Sequence, residues 1–200
     1  IRNEKKYYLE YLYDLLDLIL KKEVDSNFKF PINKNVEICL KKIFSKNLNY
    51  VGIAPGAGEK NKIWPLNNYI EICKYLESKN YQIVFYLGPN EKGYEKILKQ
   101  NFQNAIFLEN ENLLNSFSNI EIIMTSTKFL KFAISNDSGV SHMLSTNYCP
   151  LIKLFGPKDS KKFTPNLKNL ITVSSSEVNS EKIEDISVKR VISAIEDINL

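Results

Sequence analysis

The sequence predicts an α/β fold in which helices cover both faces of a parallel β-sheet. From Asn49 onward, strand-like and helix-like segments alternate, which is the order expected of a parallel sheet with crossover helices. The segments YQIVFYLGP and PLIKLFGP are continuous apolar runs, as expected of strands that are buried on both faces. The hydrophobic content of 44% supplies enough apolar side chains for a core in a chain of 200 residues.

Each element follows from a local pattern. Residues 4–22 and 34–46 carry apolar side chains at helical spacing, and the proline-containing segment DSNFKFPIN indicates a linker between them. Strands are predicted at NYVGIAP, YQIVFYLGP, NAIFL, KFAIS, PLIKLFGP and NLITV. Helices are predicted at PLNNYIEICKYLESKN, EKGYEKILKQ, NLLNSFSNIEIIMTSTKFL (one or two helices), DSGVSHMLSTN and EKIEDISVKRVISAIEDIN. The predicted division is therefore a helical segment, residues 1–48, followed by a sheet domain, residues 49–200.

Composition narrows the class of protein. The net charge is +4, and the lysines are dispersed along the chain, which is typical of a solvated surface and not of a nucleic-acid-binding stripe. The three cysteines form no zinc pattern, so we expect small buried side chains in a reducing compartment. Apolar runs fall far short of the roughly 20 residues that a membrane span needs. The chain begins with Ile1, which is compatible with a fragment of a longer protein.

Glycine-containing loops follow four of the predicted strands: PGAGEKNKIWP, LGPNE, NDSGVSH and FGPKDS. In a parallel sheet these loops emerge together at the carboxyl edge, where ligands bind. Loops at the opposite edge, such as ESKN and STNYC, contain no glycine. This asymmetry predicts a binding cleft at the carboxyl edge, because glycine lets the backbone approach a ligand closely.

The first loop has the character of a phosphate site without a standard phosphate motif. GAGEKN lacks the third glycine of a dinucleotide-binding fingerprint, and no P-loop sequence occurs. Small residues followed by lysine, just before a helix, nevertheless suit an anion. Lys62 is the preferred cation because Trp64 beside it should anchor the loop by packing, whereas Lys60 is expected to be a solvated surface residue.

The segment SNDSGVSH contains the only histidine of the chain, His142. Asp137 is a suitable N-cap, so Ser138 and Gly139 would present backbone N–H groups at a helix start. His142 lies four residues after Ser138 and one turn inside that helix, where ligand contact and a structural role are both open. A metal site is not expected with one histidine, and a Ser-His-Asp triad is not expected without a GxSxG elbow.

In order and spacing, PGAGEKNKIWP and SNDSGVSHMLSTNYCPLIKLFGPKDSKKFTP together resemble the C-terminal half of family 9 glycosyltransferases, the heptosyltransferases of lipopolysaccharide synthesis. The resemblance covers about residues 49–173. It implies a GT-B enzyme, in which two Rossmann-like domains face a cleft and the second holds the nucleotide sugar. Residues 1–48 would then be interdomain helices, with Leu9, Leu12 and Leu16 partly uncovered.

The resemblance also implies roles for individual residues. Ala57 and Gly58 would line the donor phosphate loop, and Lys62 would neutralise charge on the leaving diphosphate. The phosphates and the sugar would be held by Asp137, Ser138 and Gly139, the last two through backbone N–H groups. His142 would approach the sugar or a phosphate, and Glu91 would reach the ribose. The donor-binding set is thus Ala57, Gly58, Lys62, Glu91, Asp137, Ser138, Gly139 and His142.

The implied reaction is metal-independent transfer of a hexose or heptose with inversion, and it needs no cofactor besides the donor, for instance ADP-heptose. The acceptor would be a lipid-linked saccharide of the lipopolysaccharide type, which places the enzyme in the cytoplasm, at or near the inner membrane. The general base is expected in an N-terminal domain outside this chain, so no catalytic residue is assigned here and the chain alone would be an incomplete enzyme.

Two departures and two alternatives remain. The first loop lacks the hydroxyl side chains that many family members carry, and KDSKKFTP is more basic than usual. The first alternative is a non-catalytic module that binds a nucleotide sugar or phospho-ligand. The second is a basic RNA-binding protein, which rests on charge alone and predicts a steep salt dependence of binding.

Overall fold

The computed structural model describes residues 31–147, 149–158 and 169–198, together with 15, 16, 18–20, 160 and 164. Within these residues, six strands form one sheet in the order β3-β2-β1-β4-β5-β6, and every neighbouring pair is parallel. All six predicted strands are present, and the parallel α/β prediction is confirmed. The strands are β1 (Asn49–Ala54), β2 (Tyr81–Phe85), β3 (Ile106–Phe107), β4 (Leu130–Asn136), β5 (Leu151–Phe155) and β6 (Leu170–Ser174).

Helices cover both faces of the sheet. The helices with bounds in the described residues are α1 (Lys34–Ile43), α2 (Leu66–Ser78), α3 (Lys92–Asn101), α4 (Asn119–Ser126), α5 (Gly139–Leu144) and α6 (Val188–Glu196). Side chains of α2, α3 and α6 join one buried apolar cluster, and side chains of α1, α4 and α5 join another. The long segment NLLNSFSNIEIIMTSTKFL contains α4, flanked by short 3-10 turns.

Alternate residues of the central strands point into the two clusters. Ile53 of β1 and Phe85 of β2 belong to the first cluster, whereas Ala54 and Val84 belong to the second. All four are buried, which explains why these strands read as continuous apolar runs without alternation. The strand order reverses between β1 and β4, and this switch point leaves a crevice at the carboxyl edge.

The segment before the sheet packs only in part. Helix α1 is capped by Asn33, whose side chain accepts hydrogen bonds from two backbone N–H groups, and it buries Val36 and Leu40 in the second cluster. The predicted helix at 4–22 is described only at residues 15, 16 and 18–20, which are helical with exposed apolar side chains. The exposure of Leu16 agrees with the predicted uncovered face; Leu9 and Leu12 lie outside the described residues. The domain division at 48/49 stays a prediction.

Two composition-based expectations can be compared with the structure. Cys73 and Cys149 are buried and Cys39 is half-buried, and all three are free thiols, as expected for small apolar side chains. In the described part of the chain, no helix combines the length and apolar character that crossing a membrane requires.

Candidate functional site

The loop between β1 and α2 is held from inside by Asn136, the last residue of β4. The Asn136 Nδ2 atom donates to the Pro55 carbonyl oxygen at 2.7 Å. Its Oδ1 atom accepts from the Trp64 backbone N–H at 3.3 Å and from the Tyr69 hydroxyl at 2.9 Å. Asn136 is fully buried, so each of these bonds satisfies a group that water does not reach. One amide therefore fixes both ends of the predicted phosphate loop.

Trp64 anchors the same loop by packing, as predicted. Its side chain is fully buried, its Nε1 donates to the Ile186 carbonyl oxygen at 2.9 Å, and its ring meets Tyr69 edge-on at 5.1 Å. Lys60, two residues before the half-buried Lys62, is exposed, also as predicted. The packing of Trp64 thus holds the turn that carries Lys62 against the end of the sheet.

Asp137 lies between two lysines. Its Oδ1 atom is 2.8 Å from the Nζ of Lys153, and its Oδ2 atom is 3.4 Å from the Nζ of Lys62. Lys62 also contacts the Oε1 of Glu59 at 3.0 Å. Asp137 and Lys153 are buried, whereas Glu59 is exposed, so the cluster runs from the interior of the sheet to the surface.

Asp137 does not cap the following helix, contrary to the N-cap expectation. The N-cap of α5 is Ser138, whose side chain accepts from the Ser141 N–H while the Ser141 hydroxyl receives the Ser138 N–H. The Asp137 carboxylate is instead paired with the ammonium groups of Lys62 and Lys153. The Ser138 N–H is consequently already donated within the helix start.

The charges set the protonation states at this edge. Burial lowers the pKa of Lys62, but the Glu59 and Asp137 carboxylates outweigh burial, and the net pKa is raised. Burial lowers the pKa of Lys153, with the Asp137 carboxylate opposing that change. The pKa of His142 is lowered, first by partial desolvation of the ring and then by the Lys153 cation. A neutral imidazole beside lysine cations is therefore the resting state near pH 7.

An open pocket of about 440 Å³ lies over this cluster. Its lining combines three of the four predicted loops, namely the first loop, the β4–α5 junction and the loop after β5. Among the described residues of the lining and directly beneath it, Lys62, Lys153 and Lys158 outnumber the acids Glu59 and Asp137, so the pocket favours an anion. The lining residues are Gly58, Glu59, Lys62, Asp137, Ser138, Gly139, His142 and Lys158.

Two further pockets continue the first one along the sheet edge. A central pocket of about 240 Å³ shares Gly58, Ser138 and Gly139 with the cationic pocket and also includes Ala57 and Glu91. A third pocket, of about 210 Å³, shares a wall with the central one and is mostly apolar, lined among others by Tyr86, Leu108, Ile120, Ile123, Val140 and Met143. We call the three together the edge groove. It has a cationic end and an apolar end.

Glu91 joins two loops of the edge groove. The side chain is buried, and its Oε2 atom accepts the Gly88 backbone N–H at 2.8 Å. A Cβ atom at Gly56 would overlap the Glu91 carboxyl group, and one at Gly88 would lie 2.6 Å from its Oε2. The absence of side chains at both glycines is thus what lets Glu91 lie between the loops. Its contact with a ribose stays a prediction.

We expect Gly56→Ala to lower the free energy of unfolding by roughly 1–3 kcal/mol, as overpacking does elsewhere. The added methyl group displaces the Glu91 carboxyl group and with it the Gly88 contact. Gly58→Ala in the same loop is the matched control, because a Cβ there meets nothing within 4 Å. Urea unfolding of the two variants measures the difference, and equal losses in both would contradict this description of the loop.

The structure brings all eight predicted site residues together in the cationic and central pockets. Sequence reasoning missed Asn136, Lys153, Lys158 and the apolar pocket. Lys153 had a readable signal, since it is a lysine in an otherwise apolar strand. The binding roles of the eight residues stay predictions.

The single histidine offers a direct measure of the pocket's charge. We expect the His142 ring to titrate below 6.5, because partial burial and Lys153 disfavour the imidazolium. The unfolded chain then binds the proton more readily, so this group's contribution to stability is lost as pH falls from about 6.5 through the lower pKa of the folded state. Proton NMR of the one imidazole follows this titration without assignment. Saturating ADP should raise the pKa, since an anion nearby favours the charged ring; an unchanged pKa would place the anion elsewhere.

Comparison with known proteins identifies the family. The family model described as Glycosyltransferase family 9 (heptosyltransferase) matches residues 7–190. Lipopolysaccharide heptosyltransferase 1 of Campylobacter coli is 28% identical over 184 residues, which are 89% of this chain and 52% of that protein. Lipopolysaccharide heptosyltransferase 2 of Salmonella typhimurium is 30% identical over 122 residues, which are 60% of this chain and 34% of that protein. The chain thus spans about half the length, or less, of these relatives.

Solved structures show the same fold. A family 9 glycosyl transferase from Veillonella parvula matches with a TM-score of 0.81 at 16% identity, over 98% of this chain and 61% of that one. The E. coli heptosyltransferase WaaC, solved with ADP-2-deoxy-2-fluoro heptose, matches with a TM-score of 0.69 at 18% identity, over 97% of this chain and 56% of that one. Both comparisons agree with the Rossmann-like architecture expected from the sequence.

Proposed function

The chain belongs to glycosyltransferase family 9, and from that membership we propose that it is the donor-binding part of an inverting glycosyltransferase. The proposed donor is a nucleotide-diphosphate sugar, with ADP-heptose the first candidate, because a structural neighbour was solved with an ADP-heptose analogue. The proposed acceptor is a lipid-linked saccharide of the lipopolysaccharide type, as the names of the relatives suggest.

The observation that carries this proposal is the polarity of the edge groove. Its cationic end suits a diphosphate, and its apolar end suits a flat, weakly polar base. The central pocket between them would hold the ribose near Glu91. A phosphate, a ribose and a base must lie in that order in a nucleotide, and the three pockets are continuous in that order.

At the cationic end, Lys62 would be the main residue that stabilises negative charge. Its ammonium is charged, partly exposed and already at the pocket wall, so it can neutralise the charge that develops on the leaving diphosphate. Gly139 would approach the phosphates through its backbone N–H, and the neutral ring of His142 would donate or accept a hydrogen bond with sugar or phosphate. We propose that this lysine-based stabilisation operates without a metal ion.

No residue of this chain is proposed as the general base. Inverting transfer needs a base on the acceptor side of the sugar, and the edge groove is proposed to hold the donor. In the longer relatives, about half of the protein lies outside the region that this chain matches. We propose that a corresponding domain supplies the base and the acceptor site, in the cytoplasm near the inner membrane.

Calorimetric titration with adenosine, AMP and ADP tests the donor assignment. Each added phosphate should tighten binding, because it adds charge at the cationic end; UDP and GDP, titrated in parallel, report the preference for the base. If none of the nucleoside diphosphates binds at millimolar concentration, the proposal is rejected. Binding of adenosine as tight as that of ADP would also contradict it, since the cationic end would then contribute nothing.

A further inference from the structure

Lys153 is an unusual residue for its place in the fold. It lies in the middle of β5, whose sequence LIKLF is otherwise apolar, and only 2% of its side chain is exposed. Removing an ammonium group from water is unfavourable unless a partner compensates. One partner is Asp137, at 2.8 Å, and the Phe155 ring lies 4.9 Å from the same nitrogen atom. A cation has therefore been placed directly beneath the edge groove.

The two lysines on Asp137 differ in their freedom. Lys153 reaches Oδ1 from inside the sheet, at the shorter distance, and is enclosed there. Lys62 reaches Oδ2 at 3.4 Å from the pocket wall, with 18% of its side chain exposed, and it shares its charge with Glu59. The enclosed lysine can hold the carboxylate permanently, whereas the lysine on the wall is able to move.

We propose that Lys153 is a positioning residue that occupies the Asp137 carboxylate so that Lys62 can leave it for a bound diphosphate. This inference rests on the proposed function, because the diphosphate is the proposed ligand. Without Lys153, Asp137 would be a buried acid whose remaining described cation is Lys62. Lys62 would be drawn to it, and an anion entering the pocket would have to break that pair before it could bind.

A double-mutant cycle on ADP affinity tests the inference, using the wild type, Lys62→Ala, Lys153→Met and the double variant. In the wild type, Lys62→Ala should weaken ADP binding by roughly tenfold or more, as expected for a charge-assisted contact. In the Lys153→Met background the same change should cost about threefold or less, because Lys62 is already engaged by Asp137. Thermal unfolding of each variant shows that the binding numbers come from folded protein.

The outcomes separate the two claims. If ADP does not bind the wild type, the proposed function fails. If ADP binds but Lys62→Ala costs the same factor in both backgrounds, Lys153 is only a structural residue of β5 and this inference is wrong. Restoration gives a second reading: Asp137→Asn in the Lys153→Met background removes the acid that captures Lys62, so ADP affinity should recover part of the loss.

If Lys153→Met does not fold, a measurement on the wild-type chain tests the positioning role of Lys153. In ¹⁵N NMR of the lysine ammonium groups, assigned with Lys62→Arg and Lys153→Arg, the Lys153 signal should be protected from exchange and nearly unmoved by ADP. The Lys62 signal should shift on ADP addition. A shift at Lys153 with none at Lys62 would overturn the inference.

Discussion

Replacing Asn136 by alanine is expected to lower the free energy of unfolding by roughly 2–4 kcal/mol, the range for a broken buried hydrogen-bond network. The amide is fully buried and forms hydrogen bonds with Pro55, Trp64 and Tyr69. Alanine would leave the Tyr69 hydroxyl and two backbone groups without this partner in a site closed to water. Because both ends of the first loop depend on this amide, ADP affinity should fall together with stability.

Asn101→Ala is the matched control for this change. Its side-chain amide also donates to a backbone carbonyl oxygen, that of Ile97, but it does so on the exposed surface of α3. Its removal should change the free energy of unfolding by no more than about 0.5 kcal/mol, as is usual for surface substitutions. Urea unfolding of the two alanine variants measures the contrast. A loss below about 1 kcal/mol at Asn136 would contradict its role as the anchor of the loop.

Lys62→Ala is expected to weaken ADP binding by roughly 10- to 100-fold, because it removes the charged hydrogen-bond donor at the cationic end of the edge groove. The effect on folding should be small, since Asp137 retains Lys153 at 2.8 Å. The loss should grow from adenosine to AMP to ADP, because only the phosphates meet Lys62. Calorimetric titration of the wild type and Lys62→Ala with the three ligands measures this loss of affinity.

Lys60→Ala tests whether any lysine in this turn could support ADP binding. Lys60 lies on the same short 3-10 turn and carries the same charge, but it is exposed and lines none of the three pockets. Its replacement should leave ADP affinity within about twofold, as expected for a screened surface charge. If Lys60→Ala and Lys62→Ala weaken ADP equally, the general positive potential binds the nucleotide and Lys62 has no specific place in the site.

The arrangement of the sheet and its loops was accessible from the sequence. Doubly buried strands have no alternation, and YQIVFYLGP and PLIKLFGP are both of this kind. Once the strands are placed, the loops after them must meet at one edge, so Lys62, Glu91 and His142 could be assigned to one cleft before any distance was known. Side-chain contact was not needed for that step, because the chain direction in a parallel sheet determines it.

The partners of individual polar groups were not accessible. Asp137 has the sequence context of an N-cap, and by local rules it should cap α5. The structure pairs it with Lys153, which is 16 positions along the chain and reaches it only because β4 and β5 are neighbours in the sheet. Asn136 likewise meets Trp64 and Tyr69 only through the packing of α2. Local sequence patterns indicate which partners a polar side chain could have, and tertiary contacts determine which partner it has.

Lys153 illustrates how a buried ion pair can be recognised in the sequence. A lysine in a buried strand breaks the pattern of that strand and is rarely tolerated without a partner. The break in LIKLF therefore indicates a buried acid on a neighbouring element, although it does not say which one.

A crystal structure of the chain with ADP would show whether the edge groove holds the nucleotide in the proposed direction. We expect the β-phosphate within hydrogen-bonding distance of the Lys62 Nζ and the Gly139 N–H, with Asp137 still paired to Lys153. We expect the base in the apolar pocket beside Ile123 and Met143. A nucleotide bound in the reverse direction, or outside the edge groove, would refute the proposed donor site.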